Sequence, residues 1–335
     1  MKNKVYAAVA GGAGYTGGEL IRLLLNHPNA EITGLTSQSR AGMAVSSVHS
    51  DLAGETELKF DKTLPNSDID VLFLCLGHGR SRQFIRENKL EKVRHIIDLS
   101  SDFRFSATNS EGHRQFVYGL PESYPHPDEY AAKAKTLGNV ANPGCFASAI
   151  ELALIPLARA KWLQEDIHVH AITGATGAGA RLSETSHFPY RNNNVSVYKA
   201  FRHQHTGEIR ETLSAALGTE MPPLHFVPLR GDFSRGILAS IYTSCGLDQA
   251  EATDLYRNYY AAHPFVYISD NEINMKDVVN TNKCLIHIEK HESMLHITSV
   301  LDNLLKGASG TALQNMNLLT GLPQNAGLQL KSIVY

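Results

Sequence analysis

"KVYAAVAGGAGYTGGELIRLLLNHP", residues 4–28, opens with a short apolar strand, breaks at a glycine-rich turn and continues as an amphipathic helix ending near Asn26-His27-Pro28. A second strand follows in "AEITGLTS" (30–37), and "DIDVLFLCLGHG" (68–79) is a continuous apolar run of strand length. Such a run, ending in glycine, fits a strand buried on both faces of a parallel sheet. "RSRQFIRENKLEKV" (80–93) reads as a helix and "RHIIDLSSDFR" (94–104) as a strand leading into a loop. Strand-helix-strand alternation of this kind predicts a doubly wound α/β sheet.

Within that frame Gly11, Gly14 and Gly17 are spaced GxxGxxG between a strand and a helix, a close variant of the dinucleotide fingerprint. Glycine suits the place because a Cβ would block the tight turn and the approach of backbone N–H groups to a pyrophosphate. The second strand runs into "LTSQSRAG" without the acidic residue that holds a ribose 2′-hydroxyl. It offers Ser37, Ser39 and Arg40 instead, and hydroxyls with a guanidinium suit a 2′-phosphate. The expected cofactor is therefore NADP(H).

Beyond residue 144 the character changes. A helix over about 145–160 leads to "IHVHAITGATGAGA", "LHFVPLRGDFSRGILASIYTSC" (224–245) and "CLIHIEKHESMLHITSVLDN" (284–303). The last reads as a hairpin turning at Glu292-Ser293, and the whole as a mainly antiparallel α+β domain. "KGASGTALQNMNLLTGL" (306–322) is helical again and is expected to return to the first domain. The expected division is thus 1–144 with 306–335 for the dinucleotide domain and 145–305 for the second. The 335 residues are enough for two cores.

Composition excludes several classes. The chain is 43% hydrophobic and 19% charged with a net charge of −2, so nothing points to nucleic acid or an anionic membrane. The N-terminal apolar run is interrupted by glycines and lacks the core and cleavage site of a secretion signal. Four scattered cysteines, Cys75, Cys145, Cys245 and Cys284, form no CxxC pair, which fits a reducing, cytoplasmic setting. The sixteen histidines fall singly or alternate along strands as in "DIHVHAI" (166–172), and no HExxH occurs, so no metal is expected.

One cysteine is placed for chemistry. In "GNVANPGCFASAIELALIPLARA" (138–160), Cys145 follows Asn-Pro-Gly and starts an apolar helix. Free N–H groups there stabilise a thiolate and can lower a cysteine pKa to roughly 3.5–7.5. A thiolate needs a base, and "FRHQHTGEIRETL" (201–213) supplies His203 and His205 just before another helix. Thiol and nicotinamide together point to acyl transfer onto sulfur followed by hydride reduction. A Cys-His hydrolase would have no use for the glycine turn.

With these residues the chain resembles the N-acetyl-γ-glutamyl-phosphate reductase family over nearly its whole length. "GAGYTGGEL", "DLSSDFRF" (98–105), "YGLPE" (118–122), "NPGCFAS" (142–148), "TGATGAGA" (173–180), "HQHTGEI" (203–209), "RGDFSRGI" (230–237) and "DNLLKGASGTALQNMN" (302–317) occur in the family's order. The resemblance implies a Rossmann domain plus a glyceraldehyde-3-phosphate-dehydrogenase-like α+β domain. It also implies a small acyl-phosphate substrate and a homodimer or homotetramer. Cys145 would be the nucleophile and one of His203 and His205 the base, with His205 favoured, His203 then beside the substrate and Arg104 gripping its carboxylate. Gly11, Gly14, Thr16, Gly17, Ser37 and Arg40 would contact NADP, with Asn303 near the nicotinamide. Gln204, Gly207 and Ala180 depart from the family's pattern, which leaves acetyl and succinyl substrates both open. Aspartate-semialdehyde dehydrogenases share the chemistry but place Asn, not Pro-Gly, before the cysteine.

Overall fold

The computed structural model describes residues 4–334. The chain divides into two compact units. Among the described residues, one comprises 4–120, 130–143 and 308–329, and the other 121–129, 144–307 and 330–334.

The first unit is built on strands β1 (Val5–Ala10), β2 (Ala30–Thr36), β3 (Ile69–Leu74), β4 (Val93–Asp98), β5 (Ser110–Glu111), β6 (Arg114–Tyr118) and β7 (Gly138–Ala141). They form one sheet in the order β2-β1-β3-β4-β7-β6-β5. Every pairing is parallel except β5 with β6. All six residues of β3 are buried, which explains its unbroken apolar run. β1 has β2 on one side and β3 on the other, so the turn after it opens at the topological switch point, where open α/β sheets bind ligands. The helix Tyr15–Leu25 lays Leu20, Ile21, Leu23 and Leu24 into the core. The helix Gly310–Thr320 is stitched in by amides. Asn315 donates to Gly119 O (2.9 Å) and accepts from the Tyr130 hydroxyl (2.5 Å), while His27 donates to Asn317 Oδ1 (3.0 Å).

The second unit holds β8 (Ile167–Thr173), β9 (Ser196–Val197), β10 (Leu224–Arg230), β11 (Ile237–Ser244), β12 (Val266–Ser269), β13 (Cys284–His291) and β14 (Met294–Leu301). Their order is β12-β13-β14-β11-β8-β10-β9. The pairings are mainly antiparallel, as expected, with parallel exceptions at β8–β10 and β12–β13. The β13–β14 hairpin turns at Glu292-Ser293, where Glu292 takes φ +50°. Along β11 burial alternates strictly, so one face packs on helices and the other is half-exposed.

The helix Cys145–Arg159 runs through this unit, and every residue from Phe146 to Ala158 is buried. Pro156 interrupts it chemically, since a proline has no N–H for the carbonyl four residues back. Tyrosines of the helix Gln249–Tyr260 make good the loss. The Tyr260 hydroxyl donates to Leu152 O at 2.5 Å, and that of Tyr256 donates to Ala153 O.

Candidate active site

In the first unit the three motif glycines answer to three different demands. Gly11 takes φ +82°, and a Cβ there would lie 2.5 Å from Cys75 O, so the turn itself requires glycine. A Cβ on Gly17 would lie 2.7 Å from Gly12 Cα, so helix and turn require it. A Cβ on Gly14 would meet nothing closer than Gly11 O at 3.9 Å. The protein's own packing does not demand that glycine, and the open space at the helix N-terminus fits a pyrophosphate. Gly11 and Gly12 donate to Thr36 O (2.9 and 3.0 Å), tying the turn to the end of β2. Thr16 is half-buried in the first helical turn, and its carbonyl accepts from the Ser309 hydroxyl (2.8 Å). Ser37 is buried beyond β2, and Arg40 is exposed, with its Nη1 3.9 Å from the Met43 sulfur.

Arg104, also in this unit, is 7% exposed, and its guanidinium serves backbone carbonyls. Nε donates to Asn142 O (2.9 Å) and Nη2 to Leu99 O (3.2 Å). It thereby braces the segment that leads into Pro143-Gly144-Cys145. Beside it, Asp98 accepts from the hydroxyls of Ser81 (2.5 Å) and Ser100 (2.7 Å), and burial pushes its carboxyl up to about 6.

In the second unit, Cys145 is the first residue of its helix, with extended Gly144 as the N-cap. No intrahelical carbonyl is available to the first N–H groups of such a helix, and they confer partial positive charge on the sulfur's surroundings. The Gly144 N–H itself donates to the buried Glu208 carboxylate at 2.7 Å. Glu208 lies one turn into the helix His205–Leu217, so a single hydrogen bond joins the starts of two helices, one carrying the thiol and the other the histidine. A Cβ on Gly307 would come within 2.8 Å of Cys145 Cβ, so the 302–307 turn presses directly against the nucleophile. Other thiols are unsuited to react, since burial pushes Cys75 and Cys284 up to about 12.

Both histidines are buried here, with ring centroids 4.7 Å apart and the Phe146 ring 5.4 Å from His203 and 6.3 Å from His205. His203 Nδ1 accepts from the His205 N–H (3.2 Å), so a neutral His203 carries its proton on Nε2, which faces the Tyr198 hydroxyl at 3.4 Å. Burial first, then the charges of Lys199 and Arg230, push His203 down to about 4. It is neutral at physiological pH.

Asn303 is engaged at both ends of its amide. Oδ1 accepts from Gly236 N–H (2.7 Å), and Nδ2 donates to Thr176 Oγ1 (3.0 Å). Next to it the fully buried Asp302 pairs with Arg235 (3.0 Å) and accepts from Leu304 N–H (2.8 Å).

Sequence reading singled out the thiol, the histidines and the glycines, but missed Glu208, Tyr198 and Gly307. Glu208 was in plain view in "HQHTGEI" (203–209), yet only the fold shows that its partner is Gly144. The histidines of β8 and β10 also meet. His168 lies opposite His225 in parallel register, and with Asp166 their ligand atoms fall within 4.8 Å of one another. The two rings stack at 4.8 Å and 20°, and Asp166 accepts from His225 (2.8 Å).

Comparison with known proteins places this geometry. Residues 6–130 match the semialdehyde dehydrogenase NAD binding domain, and residues 145–303 the semialdehyde dehydrogenase dimerisation domain. N-acetyl-gamma-glutamyl-phosphate reductase from Parabacteroides distasonis is 48% identical, covering 98% of each chain. The protein of that name from Christiangramia forsetii is 47% identical, covering 98% of this chain and 99% of the other. Among solved structures, aspartate semialdehyde dehydrogenase II from Vibrio cholerae, complexed with ASA, aligns with a TM-score of 0.72 at 16% identity, over 95% of this chain and 98% of that one. Aspartate semialdehyde dehydrogenase with NADP from Candida albicans gives 0.67 at 15%, over 96% and 99%.

Proposed function

Because the chain belongs to the N-acetyl-γ-glutamyl-phosphate reductase family of semialdehyde dehydrogenases, we propose that it reduces N-acetyl-γ-glutamyl phosphate to N-acetylglutamate 5-semialdehyde and phosphate, a step of arginine biosynthesis. The observation that carries the reading is Cys145 at a helix start, held to the histidine-bearing helix through Gly144 and Glu208.

The Cys145 thiolate attacks the γ-carbonyl carbon, a C–S bond forms, and the C–O bond to phosphate breaks. The first-turn N–H groups stabilise the tetrahedral oxyanion, and one such donor is typically worth about 10²–10³ in rate. The Gly11–Gly17 turn would hold a reduced nicotinamide dinucleotide, which would supply the hydride for the resulting thioester carbon. His205 takes the thiol proton at the outset and returns one as the hemithioacetal collapses to aldehyde and free thiol. The choice of His205 is supported by His203, which at about 4 is too weak a base and is fixed as a hydrogen-bonded neighbour.

NADP(H) is the cofactor favoured by Arg40 and Ser37 at the end of β2, and the solved relative from Candida albicans carries NADP. Gly11, Gly14, Thr16 and Gly17 would hold the pyrophosphate. The Asn303 amide, clamped to Gly236 and Thr176, would act by fixing that loop, and Arg104 by bracing Asn142. A homo-oligomer is supported by the dimerisation-domain match, and a cytoplasmic setting by free thiols and by the absence, among the described residues, of a helix able to cross a membrane.

The test is phosphate-dependent reduction of NADP⁺ with N-acetylglutamate semialdehyde, set beside the N-succinyl compound and aspartate semialdehyde. The acetyl compound should be preferred, and Cys145→Ser should nearly abolish turnover while leaving NADP⁺ affinity intact. Reaction with aspartate semialdehyde alone, or full activity of Cys145→Ser, overturns the assignment.

A further inference from the structure

Lys306 stands in the π-helical turn Leu305–Ser309, immediately before the glycine that presses on Cys145. Such turns are rare, and they are found often at functional sites. The Lys306 side chain is fully buried, and its Nζ donates at 2.7 Å to Oε1 of Glu122, which is fully buried too. The centroid of the Phe265 ring lies 5.6 Å from the same ammonium. Two charges taken this far from water gain little over a well-packed apolar pair of similar volume, so stability alone does not account for them. What an ion pair adds is direction. A charge-assisted hydrogen bond fixes distance and angle, whereas apolar contact is non-directional.

The partner of Lys306 is itself anchored. Glu122 lies in the 3₁₀ turn Pro121–Ser123, and three neighbouring carbonyls accept from side chains of the second unit. Glu122 O accepts from the Tyr259 hydroxyl (3.2 Å), Ser123 O from Arg159 Nη2 (2.8 Å) and Tyr124 O from His263 Nε2 (3.0 Å). Arg159 is the last residue of the helix that Cys145 begins. The contacts therefore close a ring. It runs from Cys145 along its helix to Arg159, across to Ser123 and Glu122, through the ion pair to Lys306 and Gly307, and back to Cys145.

We infer that Lys306 and Glu122 are positioning residues for the nucleophile: their ion pair fixes Gly307 against Cys145 and so sets where the sulfur stands when it attacks. Neither needs to touch the substrate. The inference rests on the function proposed above for its reaction, but the ring of contacts is the same whichever acyl phosphate is bound.

The experiment compares wild type with Lys306→Met, the double mutant Lys306→Met/Glu122→Leu and the conservative Glu122→Gln. The readouts are the phosphate-dependent reduction of NADP⁺ with N-acetylglutamate semialdehyde, the melting temperature and the rate of iodoacetamide alkylation of Cys145. In the double mutant the melting temperature should return toward wild type while kcat stays down by about tenfold or more, with NADP⁺ affinity unchanged. Glu122→Gln, which keeps the side chain's length and an acceptor oxygen, should retain more of kcat than the double mutant does. A double mutant whose kcat recovers with its stability, to within about threefold of wild type, overturns the inference, because the pair would then be structural only. Should Lys306→Met fail to fold, the double mutant decides alone. If the wild-type protein did not turn over this semialdehyde, the function would fall separately. The positioning role would then be judged by Cys145 alkylation, whose rate should differ by about threefold or more between wild type and the double mutant; equal rates overturn it.

Discussion

Replacing Gly307 with alanine tests how tightly the nucleophile is fixed. The added methyl would stand 2.8 Å from Cys145 Cβ, 3.2 Å from its Cα and 3.3 Å from Asp302 O. Carbon atoms rest at about 3.5–4.0 Å, so something must move by about 1 Å. The turn is poorly able to yield. Gly307 N–H donates to Asp302 O (2.9 Å), and the Asp302 carboxylate is held by Arg235 and by Leu304 and Asn280 N–H (2.8 and 2.7 Å). The displacement therefore falls on Cys145. A 1 Å misplacement of a reacting group costs about 10²-fold in rate, whereas an extra methyl in a packed core costs about 1–3 kcal/mol. The expected result is kcat down by about two orders of magnitude, slower alkylation of Cys145, and a folded protein with a modestly lower melting temperature. A variant that keeps kcat within threefold of wild type would refute the reasoning, because it would show that the turn relaxes without moving the sulfur.

Gly14→Ala should weaken NADP⁺ binding, measured by fluorescence titration, by tenfold or more and leave the apo melting temperature unchanged; Gly17→Ala should lower that melting temperature, because its methyl meets Gly12 at 2.7 Å. Lys306 and Glu122 form a fully buried ion pair at 2.7 Å. Lys306→Met should cost about 3–5 kcal/mol in denaturant unfolding, and adding Glu122→Leu should recover much of that loss; a double mutant as unstable as the single would contradict it. Burial pushes His27, His95, His203 and His263 below the usual histidine value of 6.5, with His203 at about 4. The unfolded chain takes up these protons near 6.5, so their contribution is full above that pH and is lost as pH falls toward 4. Asp98, raised to about 6, acts oppositely in the same window but is one group against four. The melting temperature should fall on acidification from pH 7 to 4.5, less steeply in His203→Gln, and a rise would refute this.

What could be read from the sequence was what local periodicity and turn chemistry write down. The β1 strand and its glycine turn, the buried β3, the helix starting at Cys145 and the hairpin at Glu292-Ser293 all follow from short-range patterns. The parallel pairing of β8 with β10 does not, because it joins strands more than fifty residues apart and alternation is the same in either direction. Arg104 shows the matching limit at the site. A guanidinium in a motif does not announce which backbone carbonyls it will serve, here those of Asn142 and Leu99.

The proline in the nucleophile's helix binds the protein's history as well as its structure. With Pro156 in place, the Tyr260 hydroxyl is the donor that replaces the missing amide at Leu152 O, and its loss would strand a buried carbonyl. With an ordinary residue at 156, the same hydroxyl would be a spare. A lineage can therefore acquire the tyrosine first at little cost and the proline second, but not in the reverse order. Once both are present neither drifts alone. Tyr260 and Pro156 are a one-way step, and relatives that lack the proline should tolerate phenylalanine where this chain cannot.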